Sequence, residues 1–541
     1  MSTWTQVYNP LNDIWLSAFV AAIPIFCFIL CLTLFKMKSY ISGLYSVILA
    51  IILAIFVYHM PATIAISAAG FGAAYGFYPI CSIVIAAIFL YKLTVKTGQF
   101  NVIRNNIATI TDDPRLQVLL IAFSFGAFLE GAAGFGVPVA ITAALLVGMG
   151  FDPLKAAGMC LVANIAGGAF GAMGIPVTVP AQLTQLDPLT VGRDTVLILP
   201  IITFIVPFLL VFMIDGFKGI KETLPAIIVS GGSFAVTQFL VLYFLGAELG
   251  DIFSAVVSMI ALALFLRVWK PKQGYQMEDN KEKTVEKYTL TQILYAWSPF
   301  IFLTVFVTIF NLKPVKALFL PTGSLAKLVF NFPVPGLNNT VIKTAPIVKQ
   351  NTPFAAVFKF DIFSSTTTAI ILAIIISLIV FRAKGKLVKE LTIETLKELK
   401  APIYTICSVI ALAYVTNYSG MSSTLGLALS STGNIFPVLS PILGWIGVFL
   451  TGSVVSSGSL FAPLQAVTAA QLHITPSTLV ALNVVGGTLA KMVSPQSIAV
   501  ASAAVGLVGQ ESNLFKTTVK YSLALLLLVC LLQLNAVFHF I

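Results

Sequence analysis

Two ionisable residues stand alone in long apolar surroundings. Glu130 lies in Phe128-Leu129-Glu130-Gly131-Ala132-Ala133-Gly134-Phe135-Gly136, and its nearest charged neighbours in sequence are Arg115 and Asp152. Lys491 lies in Leu489-Ala490-Lys491-Met492-Val493-Ser494-Pro495-Gln496-Ser497, with no acid before Glu511. An ionisable group in so apolar a setting is expensive, so it is a functional candidate by default. A carboxyl at that depth can carry a proton. A lysine there can ligate a carboxylate or neutralise Glu130 in an empty carrier. The blander alternatives are a structural ion pair or helix cap for Glu130 and snorkelling for Lys491. Asn164, Asn483, Ser494, Gln496 and Ser497 are candidate partners for a hydroxyl and a carboxylate, although interhelical hydrogen bonding explains each one singly just as well.

Other chemistries find no residues to carry them. The sequence has no G-x-x-x-x-G-K-[ST] phosphate loop and no H-E-x-x-H, so neither ATP hydrolysis nor zinc hydrolysis is expected. His59, His473 and His539 are scattered, which argues against a metal cluster. No nucleophile–base pair can be assembled. No cofactor and no enzymatic activity are expected, and a carrier without a nucleotide site must draw on an ion gradient.

The elements that would hold these residues are repeated. Asn164, Gly167, Gly168, Met173 and Pro176 recur as Asn483, Gly486, Gly487, Met492 and Pro495, all at an offset of 319 residues. Each copy follows an apolar stretch broken centrally by small residues, 116–150 around Gly126 to Gly136 and 437–470 around Gly452 to Gly458. These have the length of there-and-back hairpins. Seven spans separate equivalent elements, and an odd number inverts the second copy. Inverted repeats with interrupted helices are a construction of secondary transporters, with substrate near the midplane. Unwound backbone is tolerated at that depth only where protein or water satisfies it, and a restarting helix offers free N–H groups to an anion. Helix packing is the alternative use for any single glycine, Gly167 and Gly171 included. In register, Lys491 aligns with Ala172, and the second hairpin carries no acid to match Glu130, so each half supplies one unmatched charge.

Hydrophobic residues make up 58% of the 541 positions and charged residues 9%. A soluble surface needs about 25% charge, so most of this one faces lipid. The fold class is an all-α polytopic membrane protein of about twelve spans plus two re-entrant hairpins. Spans are predicted at 14–35, 40–59, 74–95, 153–186, 192–214, 221–246, 248–268, 290–311, 361–381, 399–417, 476–509 and 518–540. The first is read as a retained helix rather than a signal peptide. The chain divides into an N-terminal segment 1–13, a first half 14–268, a connector 269–289 and a second half 290–540. The broken helices are 153–186 and 476–509. Lys and Arg cluster at 36–38, 92–115, 218–221, 267–287 and 382–400, which places those connectors, including the solvated run 278–287, inside and both termini outside. Loop 312–360 strains this scheme: it carries six lysines, six prolines and no acid before Asp361, yet falls outside. The net charge of +11 reads as lipid-headgroup contact rather than nucleic-acid binding. All six cysteines sit in apolar runs, which argues against disulfides.

The motifs F-L-E-G-A-A-G-F-G-V-P at 128–138, D-P-L-K-A-A at 152–157 and N-x-A-G-G-A-F-G-A-x-G-x-P at 164–176 resemble the bacterial L-lactate permease family. So do W-S-P-F at 297–300, T-G-S at 451–453, L-F-A at 460–462 and K-M-V-S-P-Q-S-I-A at 491–499. The resemblance implies a cytoplasmic-membrane carrier importing lactate, and often D-lactate or glycolate, with protons. In many members an Asp stands where this chain has Val454. With valine there, Glu130 is the only hairpin carboxylate, which makes it the expected proton site. Asn164 and Asn483 would read the hydroxyl, and the helix ends at Gly167/Gly168 and Gly486/Gly487 would hold the carboxylate. An elevator-like motion of the hairpins against a scaffold follows by analogy. Sodium coupling and a passive anion channel stay open as alternatives, and nothing in the sequence fixes whether the chain forms a homo-oligomer.

Overall fold

The computed structural model describes residues 3–134, 136–275 and 288–538. His539 and the connector residues 278–287, Lys281 and Lys283 among them, lie outside the described residues. Among the described residues, eleven helices are long and apolar enough to cross a membrane, or twelve if the pair Pro153–Gly168 and Gly171–Leu183, bent by 51°, counts as one span. This is a multi-pass α-helical membrane protein.

Most predicted spans recur with shifted ends. The third begins earlier, as Ala62–Lys96. The segment Leu199–Phe244 is broken at Asp215 and Gly216 into two arms, and Thr203 Oγ1 donates to Gln238 Oε1 across them at 3.1 Å. The predicted span 361–381 contracts to Thr366–Val380, 15 residues. Gly385–Ser419 extends its span at the N-terminal end by a charged helical stretch, where Glu390 and Glu394 reach Lys96. Loop 312–360 is not bare connector. Its strand Val341–Lys343 pairs with Trp4–Thr5 in parallel and with Thr352–Pro353 antiparallel, while Phe330–Pro333 pairs with Val357–Phe360. These short strands add a β component that the sequence reading lacked.

Both hairpins are present. The first joins arm Pro114–Ala132 to arm Val137–Gly148, and the second joins Gly433–Thr451 to Val454–Gln471. The two first arms begin 319 residues apart (433 − 114) and end 319 apart (451 − 132), which extends the offset of the sequence repeat to whole helices.

Their bases lie at opposite ends of the molecule. At the first, buried Arg115 binds Asp113, Asp215 and Glu222 at 2.6–2.8 Å and the Gln273 carbonyl at 2.8 Å, tying three basic connectors together. At the second, Gln471 donates to the Pro346 carbonyl at 3.1 Å, on the face that also holds Trp4–Thr5. The broken helix runs between these faces. It starts at Pro153, just after the first hairpin, and ends at Leu183, which shares a cleft with Lys343 and Gln471.

Candidate functional site

The turns of both hairpins and the breaks of both interrupted helices meet around one cavity of about 380 Å³. Glu130, Gly134, Gly168 and Ala172 line it from the first half; Ser453, Ser456, Lys491 and Gln496 line it from the second. It extends to Lys38 in the first basic connector and to Tyr40 in the first turn of the helix Ser39–Phe56.

Glu130 occupies the last turn before the first hairpin's bend and is 2% exposed. Lys491 Nζ donates to its Oε1 and forms an ion pair across 361 residues of sequence. Among the described residues, its Oε2 has no hydrogen-bond partner. Glycines make room for this side chain. A Cβ on Gly171 would stand 2.5 Å from Glu130 Oε1, and one on Gly167 would stand 3.1 Å from Glu130 Cβ.

The first helix breaks where Ala172, Met173 and Gly174 take φ of 47°, 63° and 74°. Left-handed backbone of this kind costs an ordinary residue about 1–2 kcal/mol, and it sits where function concentrates such costs. The second helix breaks at the tight turn Lys491–Val493 and restarts at Pro495 behind Ser494, whose side chain accepts from Ser497 N at 3.2 Å. The second hairpin restarts in the same way, with Ser453 accepting from Ser456 N at 3.2 Å. Two helix N-termini thus face the cavity, and their free N–H groups and positive dipole ends suit an anion.

The structure divides the sequence-derived candidates. Glu130, Gly168, Lys491, Gln496 and Ser497 line the cavity. Ser494 does not; it caps the helix that presents Gln496 and Ser497. Gly167 lies behind the cavity, against Glu130. Asn164 and Asn483 are buried outside the lining, with the Asn164 side-chain carbonyl oxygen and both Asn483 side-chain amide atoms unpartnered among the described residues. Gly486 and Gly487 serve helix crossing. A Cβ on Gly486 would overlap the Pro441 carbonyl, and one on Gly487 would stand 2.8 Å from Val448. Close packing, the alternative use of these glycines, accounts for both.

One acid escaped the sequence reading. Asp251, in the first turn of Gly250–Val268, is 1% exposed, and among the described residues neither carboxylate oxygen has a hydrogen-bond partner. Its Oδ2 stands 3.0 Å from the point a Cβ on Gly167 would occupy, so Asp251 and Glu130 flank the same glycine. Three residues into the predicted span 248–268, it reads in sequence as a span-end charge. Only the inward folding of residues 245–249 onto the break at Gly174, whose Cβ would stand 2.5 Å from the Ala247 carbonyl carbon, takes it to the site.

Interrupted helices and opposed hairpins around a charged cavity make this a membrane protein of the permease type. The family model described as L-lactate permease matches residues 17–540. The chain is 54% identical over 537 residues to the glycolate permease GlcA of Escherichia coli (strain K12), covering 97% of this chain and 96% of the relative. It is 50% identical over 529 residues to the L-lactate permease of the same organism, with the same coverage. The L-lactate permease of Bacillus subtilis (strain 168) is 47% identical over 553 residues, covering 98% and 97%. Among solved structures, the Alcanivorax borkumensis YdaH transporter, described as having an unusual topology, aligns with a TM-score of 0.46 at 15% identity, covering 85% of this chain and 86% of that one. The chain belongs to the L-lactate permease family.

Proposed function

We propose that this protein is a secondary carrier that imports lactate and glycolate with protons across the cytoplasmic membrane, its basic connectors inside. The observation that carries the reading is the Glu130–Lys491 pair on the cavity wall. In the empty site the pair is neutral. A substrate carboxylate that takes Lys491 displaces Glu130, and an unpaired carboxylate at this depth is costly. Glu130 then takes a proton, so the loaded site holds Lys491 with the substrate anion beside a neutral acid. The site is neutral in both states, which is what crossing a low-dielectric barrier requires, and one proton accompanies one anion. Asp251, with neither donor nor cation in contact among the described residues, is placed to relay the proton to Glu130, taking up one from outside for each one it passes on, so that its own charge is unchanged. The helix ends at Ser453–Ser456 and Gln496–Ser497 complete the carboxylate's hydrogen bonds. The hairpins and broken helices move together, elevator-like, against the remaining spans.

Support for the substrates comes from the relatives named lactate and glycolate permeases at 47–54% identity. The test is uptake of labelled L-lactate and glycolate into proteoliposomes under separately imposed proton and sodium gradients. Accumulation driven by protons alone is expected, and Glu130→Gln should abolish it while sparing exchange of internal for external substrate. Uphill uptake intact in that variant would remove Glu130 from coupling. Uptake driven only by sodium would replace the proton, and flux without accumulation would make the protein a passive facilitator.

A further inference from the structure

A second cavity, of about 180 Å³, lies farther along the same seam. Helices Gly171–Leu183 and Val454–Gln471 line the central cavity with Ile175 and Ser456, and the second one with Leu183 and Gln471. Between the two, Pro180 packs on Gly458, where a Cβ would stand 2.5 Å from Pro180 Cγ. An apolar contact therefore separates two pockets that each hold a lysine.

Lys343 is the cation of the second cavity. Its strand is pinned on both edges, by Trp4–Thr5 and by Thr352–Pro353, so backbone pairing fixes where the side chain starts. The half-buried ammonium stands 3.6 Å above the Phe354 ring, which stacks on Tyr418 at 4.2 Å. Among the described residues, no carboxylate lines this cavity. The titratable groups on the elements around it include Tyr8, Lys349, Tyr414, Tyr418, Asp187 and His473. Tyr8 accepts from Thr344 N at 3.2 Å, and burial pushes its phenol up, away from ionisation. The Tyr418 hydroxyl donates to the Ala355 carbonyl at 2.7 Å. Asp187 is occupied capping its own helix through Thr190 N at 3.1 Å. His473 lies two residues beyond Gln471 in the chain. A cation on an aromatic face without a counter-ion leaves one charge to be matched, and the lysine-rich loop around it raises the local concentration of anions.

We propose that this cavity is a docking site for a small monocarboxylate, which binds Lys343 from the loop face before the Pro180–Gly458 contact opens and hands it to Lys491. The assignment rests on the carrier reading given above. Burial of Lys343 pushes its ammonium down to about 8. The docking charge is therefore present below that pH and lost as pH rises through it.

The experiment is lactate exchange in proteoliposomes with equal pH on both sides, so that no proton gradient contributes, with substrate added at the loop face. Lys343→Gln should raise the apparent KM at that face roughly tenfold, leaving the maximal exchange rate and the KM at the opposite face unchanged. The wild-type KM at the loop face should climb as pH passes about 8, whereas Lys343→Arg, which stays charged, should hold it low. A wild-type KM in Lys343→Gln, or a wild-type pH profile in Lys343→Arg, overturns the docking site. If Lys343→Gln fails to reach the membrane, the arginine profile decides alone. Raised KM equally at both faces would assign Lys343 a structural role and overturn the proposal. Competition by chloride or phosphate as strong as by glycolate would make this a general anion site and overturn the assignment to monocarboxylates. If the wild-type protein moves neither lactate nor glycolate, the carrier reading itself falls, an outcome distinct from all of these.

Discussion

The first interrupted helix breaks by turning left-handed at Ala172–Gly174, whereas the second breaks through the tight turn Lys491–Val493 and restarts behind a serine cap and a proline. Their hairpins differ as well: the first bends after an acid, and the second bends at Gly452–Ser453 with no charge at all. Yet Lys491 and its counterpart Ala172 both line one cavity, where Glu130 from the first hairpin and Ser456 from the second also stand. The duplication thus preserved where these positions stand and let their chemistry diverge. Two copies of one scaffold bring an acid and a base face to face, which an identical pair could not do without placing like charges together.

Removing one partner of that pair is the strongest way to break the comparison. Lys491→Met should abolish transport and lower stability by about 3–5 kcal/mol, because Glu130 is left buried and unpaired. The double variant with Glu130→Gln should regain most of that stability while still failing to transport. A single variant that melts with the wild type, followed by thermal unfolding in detergent, would mean that the pair does not hold the halves together.

The glycines sharpen the contrast between the site and the packing behind it. Gly486→Ala drives a methyl into the Pro441 carbonyl, so it should cost about 1–3 kcal/mol and lower the yield of folded protein. Gly171→Ala meets the movable end of Glu130 instead. It should fold normally and transport on the order of tenfold more slowly as Glu130 is pushed off Lys491. Equal folding yields for the two variants, measured by size-exclusion chromatography, would erase the distinction.

Asp251→Asn is expected to have the smallest effect. It keeps the shape and removes only the proton, so exchange should stay within about twofold while proton-driven accumulation drops several-fold. Unchanged accumulation would reduce Asp251 to packing.

What the sequence reveals follows from what it can express locally. Isolated charges in apolar runs are visible, so Glu130 and Lys491 stand out; their contact follows from the repeat. Gly486 and Asn483 were drawn into the site by the same repeat, but a small-residue motif is equally the signature of close helices, and only the crossing with Phe436–Thr451 decides its use. Asp251 was hidden because its depth is set by how a connector folds inward, which no local pattern records. The strands of loop 312–360 are hidden for a similar reason: Val341–Lys343 is three residues long and depends on pairing with Trp4–Thr5, at the far end of the chain, as well as with Thr352–Pro353.

Ala172 and Met173 hold a twist that glycine would adopt more cheaply, so their own preference is to rewind into right-handed helix. The surrounding walls, not the local residues, keep this segment open. A change in those walls would release it like a drawn spring, swinging the helix beyond it, and with it Pro180, without any energy supplied at the spot itself.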